Sequence, residues 1–220
     1  MKATYPIDEH RVYLSGFSMG GAMTHALSSA YPELFAAAAP CNAFSFSRFM
    51  DPWKNLGPFV PGMTEEQIGH DSPSTSVADE KKASRPEMRM PLFQSAGAKD
   101  LLMADWPVGR DVNDIRTKTL RWWAQYNQIP EPQLDPETPS GFRADEEYWM
   151  DSSRRYYHQR WYSRDVDRLP LLELTLAGRM EHAVDPVELE WAWSYMKQFS
   201  RNADGTLSMA FRPEKKEQTV

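Results

Sequence analysis

The chain has 220 residues, of which 41% are hydrophobic, and its 25 lysines and arginines against 31 aspartates and glutamates give a formal net charge of −6. This length suits one globular domain with a real core, and an acidic chain without a basic stripe argues against a nucleic-acid partner. No apolar run approaches the roughly 18 residues of a membrane span, and one cysteine excludes an internal disulfide framework.

The first part of the chain predicts a strand followed by a helix. Residues 11–15 form a short β-rich run, and small and apolar residues recur at helical spacing from Gly20 to Tyr31. Pro32 stops that helix. Phe35–Pro40 is either a helix end or a short buried strand, because its alanines fit both.

A second strand and helix follow an irregular insertion at residues 44–90, which is rich in proline, glycine, serine and aromatic residues. Pro91–Ser95 predicts a buried strand that ends in a loop. Ile115–Asn127 has helical periodicity, and a polar, proline-rich linker at residues 130–140 comes after it.

The last part of the chain predicts two strands and a closing helix. Arg155–Ser163 alternates aromatic and polar residues, and Leu171–Leu176 is a β-like run, so the two are expected to be neighbouring strands. Pro186–Phe199 begins with proline and acidic residues and has one apolar face, which is typical of a docking helix. We expect the domain to span residues 1–205 and residues 206–220 to form a charged, mobile tail.

The most informative motif is Gly16-Phe17-Ser18-Met19-Gly20, which fits the G-x-S-x-G turn between a strand and a helix. In that turn the serine adopts a strained backbone conformation, and side chains at Gly16 and Gly20 are expected to collide with the neighbouring strand or helix. The helix dipole and the backbone N–H of Met19 then favour a developing oxyanion. Ser18 is therefore a candidate nucleophile, with a plain tight turn as the alternative.

A serine nucleophile needs a base, and His182 has the best position of the five histidines. It lies in a loop between a predicted strand end and the last helix, from which an imidazole can reach the carboxyl edge of a sheet. His10 and His25 are expected to point away from that edge, His70 lies in the insertion, and His158 is expected to pack half-exposed in a strand.

The base in turn needs an orienting acid, for which Asp100 is the candidate. It ends the segment "PLFQSAGAKD", at a loop leaving a predicted strand, and the order Ser, Asp, His along the chain is the order of this type of fold. Asp105 is the runner-up, and Glu181 is too close to His182 to bond with it easily. A helix cap or a solvated loop residue is the alternative reading of Asp100.

With these residues in hand, the chain resembles the α/β-hydrolase superfamily, and within it the esterases related to polyhydroxybutyrate depolymerases and feruloyl esterases. The segments "YPIDEHRVYLSGFSMGGAMTHALSSAYPELFAAAAP", "MPLFQSAGAKD" and "LTLAGRMEHAVDPVELEWAWSYMKQFSRNADGTL" carry the resemblance. It implies a mostly parallel sheet flanked by helices, with Ser18 as nucleophile, Asp100 as acid and His182 as base.

The chain departs from the family pattern in two places. Family members usually carry a Gly-His pair where this chain reads Met180-Glu181-His182-Ala183. The strands that precede the nucleophile strand, and the His-Gly motif of the second oxyanion donor, are not found. The sequence thus predicts an incomplete α/β-hydrolase fold, the C-terminal portion of an esterase domain. Upstream residues, self-association or a partner chain complete its sheet, or the polypeptide is a remnant.

The function predicted from the sequence is hydrolysis of a small ester or a polyester through an acyl-enzyme, without metal or organic cofactor. A prolyl oligopeptidase-type peptidase and a non-catalytic interaction module are the alternatives. Without a signal peptide after Met1 the protein is expected to be cytoplasmic as written, and secreted if the natural chain begins upstream. Five aromatic residues of the insertion are expected to line a lid or pocket: Phe44, Phe46, Phe49, Trp53 and Phe59.

Overall fold

The structure is a computed structural model that describes residues 4–43, 88–100 and 115–209. Its α-helices are α1 (Met19–Ala30), α2 (Ile115–Tyr126) and α3 (Pro186–Met196), and a 3-10 helix spans Pro32–Leu34. Its strands are β1 (Tyr13–Phe17), β2 (Ala37–Cys41), β3 (Leu92–Gly97), β4 (Gln133–Leu134), β5 (Phe142–Arg143), β6 (Glu146–Trp149), β7 (Tyr156–Tyr162), β8 (Pro170–Ala177), β9 (Phe199–Arg201) and β10 (Leu207–Met209).

Six of these strands form one sheet in the order β1-β2-β3-β8-β7-β6. The first four run parallel to one another, and β7 and β6 add two antiparallel pairs. Strands β2, β3 and β8 are buried along their whole length, as expected for strands of a parallel sheet covered on both faces. The mostly parallel sheet expected from the sequence is therefore confirmed.

Helices cover both faces of the sheet. Alternate residues of each strand point to opposite sides, so each strand contributes side chains to two separate cores. On one face, Ala38 and Leu92 pack in a core with Trp123 of α2. The neighbouring Phe93 points to the other face and packs in a second core with Tyr195 of α3. The architecture is a three-layer arrangement with the sheet in the middle.

Helix α1 lies on the same side of the sheet as α2, and a buried imidazole joins the two helices. The indole Nε1 of Trp123 donates to Nδ1 of His25 at 2.9 Å, and His25 Nε2 donates to the Gln94 side-chain oxygen at 3.0 Å. Complete burial lowers the pKa of His25 to about 4, so the ring is neutral at physiological pH and can accept the indole hydrogen. His25 is a buried structural residue whose ring nitrogens contact Trp123, Gln94 and the Ala43 carbonyl.

The elements differ from the sequence-based expectations in two places, and they decide one alternative that the sequence left open. The linker at residues 130–140 contains β4, which pairs with β5. The ambiguous alanine run is a strand, β2. Strand β10 pairs antiparallel with β9, so the ordered chain extends beyond residue 205, where the tail was expected to begin.

Within the three described ranges, none of the helices combines the length and apolar character needed to cross a bilayer.

Candidate active site

Four parallel strands end at one edge of the sheet, and the candidate residues follow three of them. Ser18 comes directly after β1, Asp100 lies three residues beyond β3, and His182 lies five residues beyond β8. The carboxyl ends of parallel strands meet at the same edge of a sheet, which is where ligands bind in open α/β folds. Residues more than 160 positions apart in sequence are thus brought together by topology alone.

Ser18 is the only residue between β1 and α1, and its backbone is strained. Its φ of 54° and ψ of −120° lie outside the regions that a side chain ordinarily allows. Two hydrogen bonds hold this geometry: Ser18 N donates to the Cys41 carbonyl at 3.0 Å, and the Ser18 carbonyl accepts from Ala22 N at 2.9 Å. Met19 is the first helical residue, so its N–H has no acceptor within the helix.

The glycines around Ser18 differ in the space that a side chain would have. A Cβ at Gly16 would lie 2.3 Å from the Gly20 carbonyl oxygen, and a Cβ at Gly21 would lie 2.8 Å from the Ala43 Cβ. A Cβ at Gly20 would meet nothing within 4 Å. The expectation that a side chain at Gly20 collides was therefore wrong: Gly20 matters because its backbone lies against Gly16.

This asymmetry predicts opposite effects for two similar substitutions. Gly16→Ala is expected to lower the free energy of unfolding by about 2 kcal/mol or more, because the strand or the helix must move to make room. Gly20→Ala is expected to raise it by about 0.5–1 kcal/mol, because alanine is the better helix former and has space. Urea denaturation of both variants checks this, and a similar loss of stability in both would contradict it.

The three candidate side chains form one chain of hydrogen bonds. His182 Nε2 lies 2.8 Å from Ser18 Oγ, and His182 Nδ1 lies 2.7 Å from Asp100 Oδ2. Because a carboxylate only accepts, Nδ1 carries the hydrogen and Nε2 is free to accept from the serine hydroxyl. Asp100 is buried, His182 is partly exposed, and the ring of Phe17 lies 4.8 Å from the imidazole.

The loops that carry Asp100 and His182 pack directly against each other. Ala98 N donates to the Ala177 carbonyl and Lys99 N to the Met180 carbonyl, each at 2.8 Å. At Gly97 an added Cβ would lie 2.4 Å from the Glu181 carbonyl oxygen, so the close approach requires glycine there. Gly97 was not among the predicted site residues, although a glycine at the end of a strand is a signal of close backbone approach.

His158 and His10 lie away from this chain of bonds. His158 is fully buried rather than half-exposed: its Nδ1 lies 2.7 Å from Thr175 Oγ1, and its Nε2 lies 3.1 Å from Glu173. This corrects the sequence-based expectation, because β7 is an internal strand covered on both faces. His10 Nδ1 lies 2.7 Å from the Arg201 carbonyl, at the opposite end of β1.

The segment after His182 is held by the capping box of α3. Asp185 caps the helix by accepting from Val187 N, and Glu188 Oε2 accepts from Asp185 N at 3.1 Å. Tyr156 and Arg155 each donate to the other Asp185 oxygen at 2.6 Å, which ties the segment to β7. Burial raises the pKa of Glu188 to about 7, and its Oε1 has no hydrogen-bond partner among the described residues.

The raised pKa of Glu188 predicts a specific dependence of stability on pH. The folded carboxyl keeps its proton to about pH 7, whereas the unfolded one loses it near pH 4.5. The contribution of this group to the free energy of unfolding is therefore fully present below pH 4.5 and is lost as the pH rises through 7. Glu188→Gln removes the titration. Between pH 4.5 and about 8, the stability of the variant relative to the native protein is expected to rise by on the order of 3 kcal/mol.

Urea denaturation at several pH values measures this difference. Exposed Glu190 lies on the same helix, and Glu190→Gln is the control that removes a carboxylate without changing the buried site. A difference between Glu188→Gln and the native protein that does not change with pH would contradict the assignment.

Several sequence-based candidates lie outside the described residues. They are the runner-up acid Asp105, His70, and the five aromatic residues expected to line a lid or pocket, namely Phe44, Phe46, Phe49, Trp53 and Phe59. Among the residues that the structure does describe, no group of three or more histidine, cysteine, aspartate or glutamate side chains is arranged to hold a metal ion.

The parallel strand order, the helices on both faces and the loops at the carboxyl edge define an α/β-hydrolase fold. An acetyl xylan esterase from Aspergillus awamori has this arrangement too, with a TM-score of 0.53 at 18% identity over 88% of this chain and 62% of that structure. No protein-family model matches the chain.

Two relatives match parts of the sequence more closely. One is the bifunctional acetylxylan esterase/xylanase XynS20E of Neocallimastix patriciarum, 49% identical over 55 residues, which are 24% of this chain and 8% of that protein. The other is the poly(3-hydroxyalkanoate) depolymerase C of Paucimonas lemoignei, 50% identical over 40 residues, which are 18% of this chain and 10% of that protein. They confirm the resemblance to esterases of the α/β-hydrolase superfamily, and the chain matches only a small part of either relative.

Proposed function

We propose that the protein hydrolyses carboxylic esters through a Ser18–His182–Asp100 triad. The observation that carries this proposal is the continuous pair of hydrogen bonds, 2.8 Å and 2.7 Å long, that links the serine hydroxyl through the imidazole to a buried carboxylate. The esterases among the relatives support the same class of reaction.

In the proposed reaction, Ser18 Oγ attacks the ester carbonyl carbon while His182 Nε2 takes the hydroxyl proton. The Asp100 carboxylate holds the Nδ1–H tautomer and stabilises the imidazolium. The N–H of Met19, at the positive end of α1, donates to the oxyanion. Collapse of the tetrahedral intermediate expels the alcohol, which receives the proton from His182.

A water molecule then completes the cycle. The water oxygen attacks the acyl carbon while His182 takes a proton from the water. The second tetrahedral intermediate then expels Ser18 Oγ, which recovers the proton from His182. The products are a carboxylic acid and an alcohol, and the enzyme returns to its starting state.

The strain at Ser18 contributes to this chemistry. A serine with φ of 54° projects from the turn rather than packing along the helix, so its hydroxyl lies at the sheet edge within bonding distance of His182. The exposed Met19 and half-exposed Phe17 side chains on either side of Ser18 offer apolar surface to an acyl or alcohol group. We propose a small ester or a polyester as substrate, and an acetyl ester as the first to test.

Two measurements test the proposed function. A serine-directed fluorophosphonate probe should label the native chain once, at Ser18, and p-nitrophenyl acetate should be hydrolysed with saturation kinetics. Comparison with a matched p-nitroanilide separates an esterase from a peptidase. Absence of both labelling and turnover would favour a non-catalytic interaction module instead.

A further inference from the structure

A buried asparagine links the three segments that bring Ser18, Asp100 and His182 together. Asn42 follows directly after β2 and has a φ of 44°, a left-handed conformation that asparagine tolerates better than most residues. Its backbone N–H donates to the Ser95 carbonyl of β3 at 2.8 Å. The preceding Cys41 carbonyl accepts from Ser18 N, so the β2 end already contacts the serine turn.

The side-chain amide of Asn42 joins the other two segments. Its Oδ1 accepts from Gly97 N at 2.7 Å, at the start of the turn that leads to Asp100. Its Nδ2 donates to the carbonyl of Ala183, the residue directly after His182. The partners determine the orientation of the amide, because only the nitrogen can donate to a carbonyl and only the oxygen can accept from an N–H.

We propose that Asn42 is a positioning residue, which holds the loops of Asp100 and His182 at hydrogen-bonding distance from Ser18. The inference rests on the proposed function. The Asn42 side chain bonds to the backbone of Gly97, before Asp100, and of Ala183, after His182. It therefore holds the two loops without contacting either triad side chain. The left-handed backbone, the bond accepted by Oδ1 and the bond donated by Nδ2 together favour asparagine over other residue types.

Aspartate and glycine each preserve only some of these features. Aspartate keeps the acceptor for Gly97 N but has no donor for the Ala183 carbonyl. Glycine keeps the backbone conformation and loses both side-chain bonds. Removing the bond to Ala183 releases the loop immediately beside His182, and a displacement of about 1 Å at a reacting group can cost about 10²-fold in rate.

The chain offers a matched control at the opposite edge of the sheet. Asn127 is also fully buried, accepts from Met90 N at 2.8 Å, and donates to the carbonyls of Met90 at 2.9 Å and Leu171 at 3.3 Å. Its side chain thus bridges the starts of β3 and β8, as Asn42 bridges the loops beyond their ends. A purely structural role should make substitutions at the two positions equivalent.

The experiment compares Asn42→Gly and Asn42→Asp with Asn127→Gly and Asn127→Asp. We expect both pairs to lower the melting temperature, and only the Asn42 pair to lower kcat for p-nitrophenyl acetate, by about 10²-fold with little change in KM. A second readout is the downfield proton resonance of the His182 Nδ1–H bonded to Asp100, assigned by its loss in Asp100→Asn. It should weaken or disappear in the Asn42 variants alone.

Three outcomes would overturn the proposal. The first is a kcat within threefold of the native value and an unchanged resonance in the Asn42 variants. The second is an equal loss of kcat and of the resonance in the Asn42 and the Asn127 variants. The third is a failure of both Asn42 variants to fold while the Asn127 variants fold. Because the resonance does not require turnover, it still decides the positioning role if the native chain is inactive and the proposed function fails.

Discussion

Replacing Ser18 with alanine is expected to reduce the kcat for ester hydrolysis by about 10⁴-fold or more and to abolish fluorophosphonate labelling. The reason is that no covalent acyl-enzyme can form without the hydroxyl, whereas alanine fits the same strained turn. The folded structure should persist, since both hydrogen bonds that hold the turn are made by the backbone of residue 18.

Ser15→Ala is the control for this comparison. Ser15 lies in β1, three residues before Ser18, and its hydroxyl donates to the Ala39 carbonyl at 3.0 Å. We expect Ser15→Ala to retain the native turnover. If Ser18→Ala kept more than about a tenth of the native rate, where a triad serine loses orders of magnitude, another residue would have to be the nucleophile.

The second large effect is expected from Asp100→Asn, which should lower kcat by about 10⁴-fold, as removal of the triad carboxylate does in serine proteases. An asparagine amide can present its N–H₂ to Nδ1, which favours the tautomer that carries hydrogen on Nε2. That tautomer cannot accept the serine proton. Labelling by the fluorophosphonate probe should slow in parallel with hydrolysis.

Asp105→Asn tests the alternative acid and should leave turnover near the native value. A large loss with Asp105→Asn and none with Asp100→Asn would reverse the assignment. The double variant Ser18→Ala/Asp100→Asn gives a further check. Because members of a triad act as a unit, we expect it to be no slower than Ser18→Ala alone.

The elements with strong periodicity were predictable from the sequence. The strand before Ser18, the helix after it and the closing helix α3 have boundaries within a few residues of those expected, since their apolar spacing and their stops are local properties of the chain. The alanine run of β2 was not decidable in this way. Alanine fits both helix and strand, and only pairing between β1 and β3 makes it a strand.

Burial was less predictable than secondary structure. The alternation around His158 resembles that of a half-exposed strand, but β7 lies between β6 and β8 in the sheet, and aromatic side chains enclose the imidazole. Whether a strand is internal or at an edge depends on its neighbours in space. A single segment of sequence does not contain that information.

The sequence by itself determined the residue types and the order of the candidate site: a serine in a glycine turn, an aspartate after one strand and a histidine after another. Only the tertiary structure decided that they meet, because hydrogen bonds of 2.7–2.8 Å between residues 82 and 164 positions apart depend on the order of parallel strands. It also decided how they are held, through the close approach at Gly97 and the amide of Asn42. Such contacts leave no periodic pattern, since each is made once, between backbone groups that are distant along the chain.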